Sequence, residues 1–248
     1  MRKISERGLF GVLVMIISML AVQMSAFASN TYENSTQIKA QLQLDAEDEA
    51  VLNQYFQNRA ENFYGNTVVD GWMKEEQQCH PVSEYGKDKV LVYQQASKAA
   101  KDLGVDYIHT RIFSVYGPGD HPWSLIETCI RTFLSGGHME MGPCTQQWNF
   151  LYVGEAARIL VKLLLGKAAA GVYNVAGEDT RPLKEYIEEL FMICGEKGSY
   201  EFGYRPPNAE GCVSLMPELG KLKNAIGFHQ QVSFKEGILE TIKGEQVR

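Results

Sequence analysis

A tyrosine and a lysine four positions apart form the pattern best suited to chemistry in this sequence. They are Tyr85 and Lys89, in the segment Tyr85-Gly86-Lys87-Asp88-Lys89. Residues at this spacing share one face of a helix. A free phenol has a pKa of about 10, too high for efficient proton transfer at neutral pH, but a neighbouring ammonium favours the phenolate. Tyr85 is therefore a candidate acid/base toward a hydroxyl or ketone, although this spacing also occurs by chance.

The elements that must position this pair alternate between helices and strands. Small and apolar residues at helical spacing predict a helix over 83–103, which Gly104 stops. A buried strand over 106–115 follows and ends in the turn Tyr116-Gly117-Pro118-Gly119. The pattern predicts further helices over 122–134, 155–165 and 182–194, and strands over 149–153 and 172–175. Ser233 and Glu236 form a capping box for a last helix. This alternation predicts an α/β layer structure with parallel strands.

The first 28 residues have the pattern of a secretory signal peptide. A basic start precedes the almost uncharged apolar run 8–24, and Ala26-Phe27-Ala28 supplies small residues for cleavage after Ala28. An uncleaved anchor helix is the alternative, because the run is almost long enough to span a bilayer. The sequence thus predicts an exported or membrane-anchored protein. The next segment, 29–62, is polar, and its apolar spacing predicts one helix over 45–62 without a catalytic pattern.

Charge and residue counts exclude several classes of function. The formal net charge is −6 and no basic run offsets it, so nucleic acid is not expected as a partner. The five histidines share no ligand spacing, and the five cysteines contain no Cys-x-x-Cys pair. The sequence therefore predicts neither a metal site nor a disulfide framework.

Four sequence blocks resemble the extended short-chain dehydrogenase/reductase family, which contains NAD-dependent epimerases, dehydratases and reductases of nucleotide sugars. The blocks occur in the family's order over roughly 63–243. They are residues 81–89, which contain the Tyr-x-x-x-Lys pattern, and residues 111–120, 148–153 and 171–175. The resemblance implies an incomplete Rossmann-like doubly wound parallel sheet with the C-terminal substrate-binding portion. It also implies NAD or NADP as the cofactor, a nucleotide sugar as the ligand, and a normally cytoplasmic location.

The resemblance implies roles for five residues. Tyr85 would be the catalytic acid/base, and Lys89 its partner; both would contact the cofactor at the nicotinamide ribose. Ser114 falls where the family approaches the sugar diphosphate. Trp148 and Asn149 fall where the family often has a basic or acidic substrate contact. For Ser114, Trp148 and Asn149, simple packing is the alternative.

Two departures from the family pattern bear on activity. The family's catalytic Ser or Thr corresponds to Ala60, four residues before Tyr64. The family's Gly-rich turn brings the backbone close to the pyrophosphate, whereas no glycine occurs between Val12 and Tyr64. The sequence therefore predicts a truncated epimerase/dehydratase-like domain over 63–248 with impaired cofactor binding. An inactive or fused remnant and an exported binding module are the alternatives. An uncovered sheet edge would favour a homo-oligomer or pairing with a missing N-terminal half.

Overall fold

The computed structural model describes residues 71–81, 84–166, 168–204 and 214–246. The predicted signal peptide (1–28), the predicted helix over 45–62, Ala60 and Tyr64 lie outside the described residues. Two compact units divide the chain. Of the described residues, 79–109 belong to the first unit, whereas 71–78 and those from 110 onward belong to the second. Among the described residues of both units, no helix combines the length and apolar character needed to cross a bilayer.

The first unit is built on helix α1 (Glu84–Leu103). Its end agrees with the prediction, because Gly104 adopts a φ of 64°, which favours glycine. The Val105 N–H donates to Ala100 O at 2.9 Å and closes the last turn. Beyond it, the His109 ring lies 4.6 Å from the Tyr93 ring, between centroids. The predicted helix over 83–103 is confirmed.

The remaining elements alternate as predicted. They are β1 (Ile108–Ile112), β2 (Ser114–Tyr116), α2 (Leu125–Leu134), β3 (His138–Glu140), β4 (Gln147–Tyr152), α3 (Val153–Leu165), β5 (Gly171–Val175), β6 (Thr180–Pro182), α4 (Leu183–Ile193), β7 (Ser199–Glu201), α5 (Gly220–Ile226) and α6 (Phe234–Gln246). The predicted strand over 106–115 is instead two short strands that separate at Phe113. Strands β3, β6 and β7 and helix α5 were not predicted, because such short elements show too little periodicity.

The strands form small sheets with mixed pairing. β4 is central in the order β2–β4–β6, while β3 pairs with β7 and β1 with β5. The β2–β4 and β3–β7 pairs are parallel, as predicted. The β4–β6 pair is antiparallel, with Trp148 opposite Arg181, so β6 adds one antiparallel edge to the predicted parallel pairing. The side chain of Asn149 on β4 donates a hydrogen bond to Thr180 on β6.

The hydrophobic core of the second unit packs α2, α4 and α6 on one face of the three-stranded sheet. Phe133, Tyr186, Leu190 and Ile238 are fully buried there. The Tyr186 ring stands edge-on to Phe150 of β4, with 5.0 Å between centroids. Helix α6 begins with the predicted capping box, since Ser233 N–H donates to Glu236 Oε2 at 2.8 Å and Glu236 N–H to Ser233 Oγ at 3.3 Å.

Four of the five cysteines lie in the described part of the chain: Cys79, Cys129, Cys144 and Cys194. The last three lie buried in the core cluster. Burial, with a smaller effect of the neighbouring thiols, raises the pKa of Cys129 to about 12. A thiol with so high a pKa stays protonated and unreactive at neutral pH. Cys129, Cys144 and Cys194 therefore act as small core residues. Cys212 lies outside the described residues.

Helix α6 approaches β2 so closely that one position requires glycine. A Cβ on Gly237 would overlap Tyr116 Oη, and Tyr116 Cζ would lie 2.9 Å away. That hydroxyl is fixed, because it donates to Phe234 O at 3.1 Å.

Overpacking usually costs about 1–3 kcal/mol, whereas alanine gains ~1 kcal/mol in helix propensity. Because the overlap with Tyr116 is severe, Gly237→Ala is expected to lower the free energy of unfolding by about 1–2 kcal/mol. Urea unfolding followed by tryptophan fluorescence measures it. Lys235→Ala, at an exposed position of the same helix, is the control and should change stability by less than ~0.5 kcal/mol. Equal stability of Gly237→Ala and the unaltered chain would contradict the close approach.

Candidate functional site

The predicted catalytic pair lies in the first turns of α1. Tyr85 is the second residue of the helix and Lys89 lies four residues further on, so the backbone places both on one helix face. The side chain of Tyr85 is outside the described residues. The Lys89 side chain is half-buried, and this burial lowers the pKa of its ammonium to about 8. Groups that titrate close to the working pH are suited to proton transfer. The catalytic roles of Tyr85 and Lys89 stay predictions.

The lowered pKa of Lys89 links stability to pH. Between about 8 and the ordinary value of 10.5, the unfolded chain holds this proton and the folded chain does not. The cost of burying the charge is therefore fully present below pH 8 and disappears as the pH rises through that window.

Lys89→Met is expected to raise stability at pH 7, and this advantage over the unaltered chain should shrink between pH 8 and 10.5. Urea unfolding at a series of pH values measures the difference. Lys87→Met, an exposed lysine on the same helix, should show no such trend. A pH-independent difference for Lys89→Met would contradict the lowered pKa.

Two of the three predicted substrate residues share one face of the sheet in the second unit. Ser114 lies opposite Phe150 in the parallel β2–β4 pair, and Trp148 is two positions before Phe150 on β4. Side chains alternate along strands, so Ser114, Phe150 and Trp148 point to the same side. The indole Nε1 of Trp148 is buried and, among the described residues, has no hydrogen-bond acceptor. An unpaired buried donor is costly, but a nitrogen this deeply buried offers no exposed surface to a ligand. The substrate roles of Ser114 and Trp148 stay predictions.

The third predicted substrate residue, Asn149, points to the opposite side and is completely buried. Its Nδ2 donates to Gly177 O at 2.8 Å, Asp179 O at 2.9 Å and Thr180 Oγ1 at 2.9 Å. Its Oδ1 accepts the Gly177 N–H at 2.8 Å. Both ends of the amide are thus used to hold the turn between β5 and β6 against β4. A substrate contact by Asn149 stays a prediction, and it would compete with these bonds.

Arg181 shares the face of the sheet that carries Ser114 and Trp148, because it lies directly opposite Trp148. Its position there was not predicted from the sequence. Its Nε lies 3.1 Å from Asp179 Oδ2, and it also pairs with Glu189. Burial alone would lower the pKa of the guanidinium, but the bond to Glu189 and the charge of Asp179 outweigh it and raise that pKa. Two carboxylates already neutralise this cation, so Arg181 by itself does not form a phosphate site. Only the register reveals its position, since β6 has three residues and includes a proline.

A second buried amide holds the segment before α1 against β5. Asn174 N–H donates to Glu75 Oε1 at 3.0 Å, and Asn174 Nδ2 donates to Met73 O at 2.8 Å and Glu218 O at 3.1 Å.

Beside this junction lies an open cavity of about 790 Å³. It is lined by two lysines, Lys74 and Lys221, and two glutamates, Glu76 and Glu218. Because its charges balance, the cavity does not indicate the sign of a ligand.

A metal site was not predicted from the sequence. In the described part of the chain, no group of three or more His, Cys, Asp or Glu side chains is arranged to hold a metal ion. The prediction that this protein uses no metal therefore stays a prediction, because residues 1–70 lie outside that part.

Comparisons with known proteins agree with the α/β fold. The chain is 24% identical over 235 residues to a dTDP-glucose 4,6-dehydratase of Streptomyces niveus, covering 90% of this chain and 66% of the relative. The structure resembles dTDP-glucose 4,6-dehydratase of Bacillus anthracis in complex with NAD, with a TM-score of 0.63 at 22% identity. That match covers 75% of this chain and 59% of the other.

A third protein has the same fold. UDP-N-acetylglucosamine 4-epimerase of Methanobrevibacter ruminantium, in complex with UDP-N-acetylmuramic acid, matches with a TM-score of 0.68 at 21% identity. That match covers 81% of this chain and 67% of the epimerase. The incomplete Rossmann-like α/β fold expected from the sequence is confirmed. The chain spans about two thirds or less of the length of these proteins.

The family match extends further toward the N-terminus than the four sequence blocks. The NAD dependent epimerase/dehydratase family matches residues 20–176, more than half of the chain. The match begins within the apolar run predicted as a signal peptide, and it includes the polar segment 29–62. The signal peptide stays a prediction. With its Tyr-x-x-x-Lys helix, its α/β fold and this match, the chain belongs to the NAD-dependent epimerase/dehydratase family.

Proposed function

We propose that this chain binds a nucleotide-linked sugar and carries the family's proton-transfer pair, but holds NAD or NADP only weakly. One observation carries the proposal: α1 begins at Glu84 and so places Tyr85 and Lys89 one turn apart, with the pKa of Lys89 lowered to about 8. Family membership supports the substrate class. Two proteins of the same fold are known in complex with NAD and with UDP-N-acetylmuramic acid, respectively.

The residues of this chain would divide the chemistry as follows. Tyr85 takes a proton from a sugar hydroxyl, or returns one to a ketone, as the acid/base. Lys89 stabilises the phenolate by its charge and can donate a hydrogen bond to the ribose of the cofactor. NAD or NADP, when bound, supplies hydride transfer. The reaction class is therefore an epimerisation, dehydration or reduction at a carbon bearing a hydroxyl or keto group.

Weak dinucleotide binding is proposed on the basis of the N-terminal sequence. Backbone N–H groups reach a pyrophosphate closely only where glycines remove the side chains, and no glycine occurs between Val12 and Tyr64. Ala60, at the position of the family's Ser or Thr, cannot hydrogen-bond the substrate oxygen. These two departures favour a second candidate function, binding of a nucleotide sugar without turnover.

Calorimetric titration of the full chain tests the substrate class. We expect dTDP-glucose or UDP-glucose to bind with a dissociation constant in the micromolar range, on the order of 10–100 μM, about −6 kcal/mol. Glucose 6-phosphate, which carries phosphate without a nucleoside, is the control and should bind at least ~10-fold more weakly. Equal affinities for the control and both nucleotide sugars, or no saturable binding of either nucleotide sugar, would overturn the proposal.

Export is a separate proposal that rests on the apolar run and on the small residues before Ser29. N-terminal sequencing of the chain produced in a secreting bacterial host should then find Ser29 as the first residue. Ala28→Glu should block this processing, because signal peptidases require small residues at the cleavage site. A product that starts at Met1 in both proteins would contradict cleavage. It would favour the alternative of an uncleaved anchor helix.

A further inference from the structure

We propose that the open cavity of about 790 Å³ in the second unit binds a free α-amino acid in its zwitterionic form. We call this space the zwitterion cavity. It is lined by residues of β5 and α5, of the segment just before β5, and of the segment that precedes α1, all within the second unit. Neither the catalytic pair nor a nucleotide sugar is needed for this binding, so it goes beyond the proposed function.

Two opposite charges are held in position in the wall of the zwitterion cavity. Lys221 is half-buried, and its Nζ lies 5.0 Å from the centroid of the Tyr173 ring, a cation–π contact. Glu218 is also half-buried, and its Oε1 accepts the Gly220 N–H at 2.7 Å. Both side chains are thus oriented before a ligand arrives, so the cavity presents an ammonium and a carboxylate together.

The charges that line the cavity do not neutralise one another. Lys74 and Glu76 line it as well and are exposed. None of the four lysine and glutamate side chains forms an ion pair with any residue that the structure describes. A lone charged side chain on a protein surface is ordinarily solvated. Two oriented charges of opposite sign that line one cavity without pairing are more specific, because a ligand that carries both charges can pair with each of them.

An α-amino acid has the chemistry that this lining requires. At neutral pH it carries both a carboxylate and an ammonium, which complement the lysines and the glutamates, respectively. Three alanines, Ala168, Ala169 and Ala225, contribute to the uncharged wall and offer apolar contact to a short aliphatic side chain. The Tyr173 hydroxyl already donates to Ala169 O at 2.8 Å. L-Alanine is therefore the simplest probe for this cavity.

Hydrogen bonds join the two segments that form the walls of the zwitterion cavity. Asn174 Nδ2 donates to both Met73 O and Glu218 O, and the Glu218 N–H donates to Met73 O at 2.9 Å. Met73 also pairs with Pro217 in an isolated parallel bridge. The segment before α1 is therefore fixed against the segment that leads into α5. A ligand loses little free energy to ordering when its site is held in this way.

The position of the zwitterion cavity indicates a ligand other than the substrate. Ala168 and Ala169 come shortly before β5, so the cavity reaches the amino end of this strand. In α/β sheets the ligands of the main site bind outside the carboxyl ends of the strands. An amino acid in this cavity is therefore a second ligand, which does not compete with a nucleotide sugar.

Equilibrium dialysis of the full chain with radiolabelled L-alanine tests the proposal. We expect saturable binding with a dissociation constant on the order of 1 mM, because so small a ligand binds weakly. Propionate lacks the ammonium and ethylamine lacks the carboxylate, so each should compete at least ~10-fold more weakly than unlabelled L-alanine. This comparison uses the unaltered chain and does not depend on the folding of any variant.

Two variants locate the site. Lys221→Met removes the ammonium and keeps a side chain of similar length, and Glu218→Gln removes the charge but keeps an oxygen for the Gly220 N–H. Each should weaken L-alanine binding roughly tenfold or more. Lys184→Met and Glu185→Gln, at exposed positions of α4 that do not line the cavity, are the matched controls and should leave the affinity unchanged.

The other outcomes overturn the proposal. The absence of saturable L-alanine binding would mean that the four charges are ordinary solvated surface groups. Competition by propionate as strong as that by L-alanine would mean that the cavity takes a simple anion, and equal competition by ethylamine a simple cation. Full affinity in either Lys221→Met or Glu218→Gln would place the amino acid elsewhere. None of these results alters the nucleotide-sugar titration, so failure here and failure of the proposed function can be told apart.

Discussion

Asn149→Ala is expected to lower the free energy of unfolding by about 3 kcal/mol or more. The substitution leaves the Gly177 N–H and the carbonyls of Gly177 and Asp179 without the partner that now satisfies them. A buried polar group left unsatisfied costs ~1–3 kcal/mol, and Asn149 is completely buried. Urea unfolding followed by tryptophan fluorescence measures the loss.

Two further variants show whether the hydrogen bonds cause this effect. Asn149→Asp keeps the shape of the side chain and its acceptor but loses the donor, so carboxylate and carbonyl oxygens would face each other. It should destabilise about as strongly as alanine at neutral pH. Asn224→Ala, at an exposed position, should stay within ~0.5 kcal/mol of the unaltered chain. If Asn149 serves only as a substrate contact, its variants should lose sugar affinity and keep full stability, and that outcome would contradict the structural role.

Tyr85→Phe is expected to reduce turnover of a nucleotide-linked sugar by about 10²–10⁴-fold, the usual contribution of a general acid/base. The variant removes only the phenolic oxygen, so affinity for the sugar nucleotide should change little. The assay follows conversion of the nucleotide sugar by chromatography of the products, because epimerisation and dehydration regenerate the cofactor. Millimolar NAD or NADP offsets weak dinucleotide binding. Tyr204→Phe, at a 61% exposed tyrosine, is the control and should retain full turnover.

The outcome for Tyr85 separates the candidate functions. Undiminished turnover in Tyr85→Phe would show that another group transfers the proton. Nucleotide-sugar binding without any turnover in the unaltered chain would instead favour the second candidate function, binding without catalysis. In that case, Ala60 would be the first position to change, since a hydroxyl is expected there by resemblance.

Local signals in the sequence predicted the longer helices well. Helix α1 ends at Gly104 as predicted, where the glycine adopts a positive φ, and the capping box of Ser233 and Glu236 begins α6. Both features depend on residues close together in the chain. The candidate catalytic pair was likewise visible as a spacing within one helix. Such short-range rules act before any tertiary contact and can therefore be read directly from the sequence.

Contacts between distant segments could not be predicted in this way. The antiparallel pairing of β6, the position of Arg181 opposite Trp148, and the bonds from Asn149 to residues 177–180 all depend on register. Periodicity is uninformative for strands as short as β6. At the N-terminus, an apolar run has the same composition in a signal peptide and in a buried strand.

The most direct test of the account is calorimetric titration of the full chain with NAD, NADH, NADP and NADPH. We propose that this chain recognises a nucleotide sugar and carries the proton-transfer pair, without close backbone contacts for a pyrophosphate. We therefore expect no saturable heat for any dinucleotide below about 1 mM, equivalent to less than ~4 kcal/mol of binding free energy. A dissociation constant in the micromolar range for any of the four would contradict it.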